Sequence, residues 1–262
     1  MKRTIALIGV LVLSLGLLAG CGKKDGKTFK VGFDAEFPPY GYRDTNGEYV
    51  GFDLDLAAEV CERKGWTLVK QPIDWDSKDF ELSSGTIDCI WNGFTMNGRE
   101  DLYTWTVPYV DNSQVFVVAA DSGITSLADL AGKDVGVQKE SSALAALNDE
   151  EKPDNIALRD SFGSLTEYAD YNTAFMNLEA GAIQAVAMDI GVAQYQMDAR
   201  EEGKYIILEE KLAVEQYGVG FLLGNTELKD EVEAVLLEMV DDGTFAEIAE
   251  KWGLSDSVCL EK

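Results

Sequence analysis

Hydrophobic positions along this chain recur with two alternating periods. Short apolar runs at residues 29–33, 67–69, 87–91 and 115–119 have the length and the β-branched or aromatic content of strands. Between the first two, Leu56, Ala57, Val60 and Cys61 keep to one face of a helix that Asp53 can cap and that Gly65 stops after Lys64. Residues 80–84 supply the helix before the third strand. Pro38 and Pro39 end the first strand's pairing. Asn46 and Gly47 predict a tight turn, from which residues 49–52 return as a strand. Strands and helices alternating at this spacing predict an α/β sheet.

The second half repeats that plan without repeating the sequence. A strand at Asp134–Gln138, a helix from Ser142, a helix at 173–180 closed by Gly181, a strand at 185–188 and a helix after Asp189 predict a second α/β lobe. Leu228, Val232, Val235, Leu236 and Met239 form one stripe of a long helix that begins near Thr226 and ends at Gly243. Thr244 and Glu247 have the spacing of a capping box for a last helix carrying Phe245, Ile248, Ala249 and Trp252. These stripes read as core.

The amino terminus has a different pattern. Lys2 and Arg3 precede an apolar run of about 14 residues, the pattern of a secretory signal and shorter than a bilayer-spanning helix needs. Leu18, Ala19, Gly20 and Cys21 resemble the bacterial lipobox, which implies removal of residues 1–20 and diacylation of Cys21. Two acyl chains hold a protein stably on a membrane. Residues 21–27 then read as a tether. No later segment is predicted to span a membrane.

Composition narrows the chemistry. With 22 Lys+Arg against 47 Asp+Glu, nucleic acid is excluded as an expected partner. The absence of histidine removes imidazole zinc sites and Ser/His/Asp or Cys/His nucleophiles. Cys61, Cys89 and Cys259 lack metal-type spacing, so no metal is expected. Cys61 and Cys89 are left as buried thiols or, since export permits it, a disulfide.

At Gly51, Phe52, Asp53, Leu54, Asp55, Leu56 and Ala57 the chain resembles the extracellular solute-binding proteins of polar amino acid ABC importers, family 3. Segments 33–40, 85–88, 93–99, 135–142, 185–189 and 217–221 follow in that family's order. The resemblance implies a two-lobed, periplasmic-binding-protein-like α/β fold of type II. Two hinge strands near 109–114 and 210–216 would join the lobes, with the ligand between them and closure by hinge rotation. The first lobe would then combine residues 28–111 and 214–262, and the second residues 112–213. It further implies a monomeric, non-catalytic receptor without cofactor, which hands a free amino acid to a permease and ATPase complex.

A free amino acid presents a carboxylate and an ammonium, so a receptor that buries both must offset their lost hydration. Arg99 matches the family's arginine, whose planar fork takes a carboxylate through two parallel hydrogen bonds. Ser141 and Ser142 stand where a strand passes into a helix, so their N–H groups suit the same carboxylate. Asp189 corresponds to the family's ammonium partner, and Gly93 and Thr95 complete these contacts. Three residues separate Thr95 from Arg99 where the family commonly has four, which leaves the arginine's geometry less determined than its identity. Asp34, Phe37, Trp75 and Gln138 are the expected side-chain readers, with the two aromatics able to sandwich the ligand. Glutamine, cystine or a similar polar ligand is the expectation, with arginine or lysine as the alternative. An exported dehydratase-like enzyme or a stand-alone sensory lipoprotein are the readings of other classes.

Overall fold

The computed structural model describes residues 26–260. The leader and the lipidation expected at Cys21 lie outside the described residues.

Two mixed sheets organise the chain. The first runs in the order Thr67–Pro72, Thr28–Phe33, Cys89–Ile90, Gly220–Leu222 and Tyr103–Trp105. Its first three strands are parallel, and the last two run antiparallel to their neighbours. The second runs in the order Ser164–Tyr168, Asp134–Gln138, Ala185–Asp189, Val110–Ala119 and Tyr205–Ile207. Ala213–Tyr217 also pairs antiparallel with the long strand Val110–Ala119. Each sheet anchors one lobe. The chain leaves the first sheet through Val110–Ala119 and comes back to it after Ala213–Tyr217, so both crossings are strands and they are paired with each other.

The apolar runs at 29–33, 87–91 and 115–119 are explained by burial on both faces of their sheets, whereas 67–69 lies on an edge strand and is only partly buried. Val115 and Val117 belong to the large core that spans the molecule. Phe116 and Val118, pointing the other way along the same pleat, enter a second core with Val135, Val137, Ala185 and Ala187. Helix Phe52–Lys64 buries Leu56, Ala57, Val60 and Cys61, as the pattern predicts. The C-terminal helices Thr226–Asp242 and Thr244–Lys251 pack against it, and Arg63 ties the three together through Glu59, Asp242 and the Thr244 hydroxyl. Cys61 and Cys89 are buried free thiols, so no disulfide joins them.

Two expected caps are corrected. The N-cap of Phe52–Lys64 is Gly51, and Asp53 lies inside the first turn, fully buried. Thr244 and Glu247 form no capping box: Gly243 is the N-cap, and the Thr244 hydroxyl donates to Asp242 instead. The helix Pro153–Ser161 and the strands Ser164–Tyr168, Tyr103–Trp105 and Tyr205–Ile207 have no counterpart in the sequence pattern, because they are short or largely exposed and carry little periodic signal. Among the described residues, no helix is long and apolar enough to cross a membrane.

Gly51 has φ 148°, and a Cβ there would stand 2.1 Å from the Tyr40 carbonyl oxygen. Gly51→Ala is therefore expected to lower the unfolding free energy by about 1–3 kcal/mol through backbone strain, with more from the clash. Urea denaturation measures it.

Candidate functional site

The end of the first lobe's central strand is held by a buried acid. Asp53 Oδ2 accepts the Gly93 N–H at 2.6 Å, and Oδ1 accepts the Tyr109 hydroxyl at 2.9 Å. Burial pushes this carboxyl up to about 7 against the lowering effect of those donors. Asp53 thus positions the 92–95 segment, a role its place in the Gly51–Ala57 motif could have signalled and its helix-start pattern concealed. Gly93 packs between the rings of Phe37, Tyr40 and Tyr217.

From that segment the chain turns sharply to Arg99. Gly98, with φ 75°, and the Arg99 N–H bonded to the Met96 carbonyl close the three-residue spacing that set this chain apart. The guanidinium lies 5.2 Å from the centre of the Phe94 ring. Nη1 donates to the Thr95 carbonyl at 3.2 Å and to Ser142 Oγ at 3.1 Å, and Nη2 to the Glu140 carbonyl at 3.4 Å. The shortened loop therefore brings the arginine across the cleft to the serines of the second lobe. Ser141 caps helix Ser142–Leu147 by accepting from the Leu144 N–H.

Asp189 ends the strand Ala185–Asp189 and is 4% exposed. Its Oδ1 accepts from Asn112 Nδ2 at 2.8 Å, Gln114 Nε2 at 2.6 Å and the Tyr217 hydroxyl at 2.6 Å. Beside it lies Glu215, 5% exposed, which accepts from the same two amides and from Thr95 Oγ1 at 2.8 Å. Burial raises both carboxyls, and Asp189 adds to the rise at Glu215, which reaches about 7. Thr95 thus links the two ends of the expected clamp: its carbonyl accepts from Arg99 and its hydroxyl reaches the acid pair. Sequence reasoning missed Glu215, Asn112 and Gln114, since polar residues on a hinge strand look like ordinary exposed strand positions.

The remaining expected residues separate. Asp34 is buried, with Oδ1 accepting the Glu36 N–H and Oδ2 accepting Gln138 Nε2 across the cleft at 2.7 Å. Burial raises it from 3.8 to about 6, the largest opposing influence being the Glu36 N–H. Trp75 is half-buried and packs edge-on against Phe94. Phe37 is buried between Tyr40 and Tyr171. It is not among the residues that line the cavity beside Trp75.

That cavity, of about 690 Å³, holds Asp34, Glu36, Asp74 and Asp76 from the first lobe and Glu167 and Asp170 from the second. Lys139 is the single basic residue lining it, and its Nζ is paired with Asp76 at 2.7 Å. A second cavity of about 590 Å³ is lined by Arg99, Ser142 and Glu215.

Two lobes joined by paired strands, with opposite charges and serines converging in the cleft between them, define a ligand-capturing receptor of the two-lobed periplasmic-binding-protein class. The chain belongs to the bacterial extracellular solute-binding proteins, family 3, whose pattern it matches over residues 29–255. It is 27% identical over 232 residues to the L-cystine-binding protein TcyJ of Escherichia coli (strain K12), covering 87% of this chain and 84% of that protein. It is 28% identical over 252 residues to the putative ABC transporter arginine-binding protein 2 of the same strain, covering 94% and 97%. Among solved structures it resembles an ABC uptake transporter substrate-binding protein from Streptococcus pneumoniae with bound histidine. That match has a TM-score of 0.81 and 34% identity, and covers 86% of this chain and 92% of that one.

Because the folded Asp34 carboxyl titrates near 6 rather than 3.8, its stabilising contribution is complete below pH 3.8 and is lost as pH rises through 6. Between pH 4 and 7 the ligand-free protein is expected to lose about 2 kcal/mol more stability than Asp34→Asn does. Denaturant titrations of both proteins across that window check the difference.

Proposed function

We propose that this protein is the substrate-binding lipoprotein of an ABC amino acid importer, anchored through Cys21 outside the cytoplasmic membrane, and that its ligand is an L-amino acid with a cationic side chain. The observation that carries the side-chain preference is the excess of carboxylates over Lys139 in the cavity beside Trp75. A cavity whose walls hold like charges on both lobes lowers the energy of a cation placed between them. Asp34 can form a charge-assisted hydrogen bond with a guanidinium or ammonium, and the Trp75 ring can stack on it. The arginine-binding relative supports the same reading. Glutamine or cystine is the second reading, supported by the Gln138 amide beside Asp34 and by the cystine-binding relative.

In this reading Arg99 and the N–H groups at Ser141 and Ser142 take the ligand carboxylate, while Asp189, with Thr95 and the Gly93 carbonyl, takes the ammonium. The protein acts as a monomer, captures the ligand without transforming it and delivers it to a permease and ATPase complex. A dehydratase would instead release product from a bound substrate, and a sensory lipoprotein would leave uptake unchanged when deleted.

A thermal-shift screen of the twenty amino acids, cystine and ornithine is expected to give the largest rise in Tm with arginine, lysine or ornithine, since a ligand that binds only the folded state stabilises it. A larger rise with glutamine or cystine would favour the second reading. Arg99→Ala and Asp189→Ala are each expected to lose about 2–5 kcal/mol of binding, because each strands one buried ligand charge. Calorimetry measures this, and near-wild-type affinity in either variant would remove that residue from the site.

A further inference from the structure

Asp189 and Glu215 form a buried pair whose partners are all neutral. Asn112 Nδ2 donates to both acids, at 2.8 and 2.6 Å, and Gln114 Nε2 does the same at 2.6 and 2.7 Å. The other donors are the Tyr217 and Thr95 hydroxyls. Two carboxyls this close, out of water and without a cation, do not both ionise, so the pair retains a proton. The direction of the shift at Glu215, upward from burial and then from Asp189, agrees with that geometry.

The cluster is also short of donors in a second, independent way. Asn112 Oδ1 and Gln114 Oε1, on amides that are themselves buried, have no hydrogen-bond partner. Buried acceptors without donors are rare, because each forfeits its hydration. An ammonium brings three N–H donors and a positive charge. Thr95, placed at the ligand's amino end, directs its hydroxyl to Glu215 rather than to Asp189.

We propose that Glu215 is a second carboxylate of the ammonium subsite, and that the ligand's ammonium replaces a proton held between Glu215 and Asp189, which leaves to solvent. The proposal rests on the receptor reading above. The phenols of Tyr40, Tyr171 and Tyr217 surround the pair and stay neutral, since burial raises each of them. The cavities that Glu215 lines also hold the cations Arg99, Lys152 and Lys211. Asp149 and Glu151 oppose these on one side, and Asp111 and Asp256 on the other. None of these hydrogen-bonds to Glu215, so the pair titrates chiefly through its own members.

The test is isothermal titration with L-arginine at pH 6 in two buffers of different ionisation enthalpy, which reads the number of protons released per ligand bound. Wild type is expected to release about one proton more than Glu215→Gln. Any proton from Asp34 is common to both proteins and cancels. The wild-type Kd is expected to weaken with falling pH below 7 by up to about tenfold per unit more steeply than that of the variant. Equal counts in the two proteins overturn the proposal. Should that variant not fold, Asp34→Asn is titrated in its place, since it removes the Asp34 proton: about one proton released at pH 6 supports the proposal and none overturns it. Absence of binding heat at pH 8 with L-arginine, L-glutamine and L-cystine alike would remove the receptor reading with it. Equal counts together with binding abolished by Asp189→Ala would leave that reading intact and remove only the role of Glu215.

Discussion

The site depends on the register between the two strands that cross from lobe to lobe. Val110–Ala119 and Ala213–Tyr217 pair antiparallel with Asn112 opposite Glu215, while on its other edge the same long strand sets Gln114 opposite Asp189. Side chains two apart on a strand share a face, so Asn112 and Gln114 project together and each reaches both acids. A slip of one residue would turn both amides to the other face and leave two buried carboxyls without donors. The hydrogen-bond ladder of the two crossing strands therefore fixes the spacing of Asp189 and Glu215, which in the proposed reading lie on the floor of the binding site.

The cleft walls use charge differently. Asp34 with Gln138, Asp76 with Lys139 and Arg99 with Ser142 all bridge the lobes, and Asn172 donates to Glu36 across the same gap. The Asp76–Lys139 ion pair is exposed and of the kind that contributes little, whereas the Asp34–Gln138 bond is buried. The buried Asp189 and Glu215 carboxyls are held by neutral donors. Stability and binding pull in opposite directions at these carboxyls: burial disfavours their charge in the ligand-free protein, and that same burial strengthens their attraction for a positively charged ligand.

Much of this was legible in the sequence because burial leaves periodic marks. Residues buried on both faces, such as Val115 to Val118 and Val135 and Val137, read as continuous apolar strands, and the stripe from Leu228 to Met239 read as a packed helix. Arg99, Asp189, Ser141 and Ser142 were legible through the family's motif order. What stayed hidden depends on pairs distant in sequence. Asp53 looks like a cap until Gly93 and Tyr109 are brought to it, and the packing of Phe37 on Tyr171 joins the two halves of the chain. Glu215 carries no local pattern at all, since its meaning comes from Asn112, more than a hundred residues earlier, across the hinge ladder.

A division of labour follows from where these groups sit. In the proposed reading the crossing strands and Arg99 meet features that every amino acid shares, and they are built on paired strands and a tight turn, elements that hold geometry well. The cavity beside Trp75 is lined partly by residues between regular elements on both lobes, Asp34, Ala35, Asp74, Ala169 and Asp170 among them. Loops accept substitution without disturbing the sheets that carry the floor. A receptor built this way can change which side chain it prefers while keeping its grip on the zwitterion, and relatives named for cystine, arginine and histidine on one fold are what that separation would produce. Here that lining supplies carboxylates from both lobes against the single basic residue Lys139.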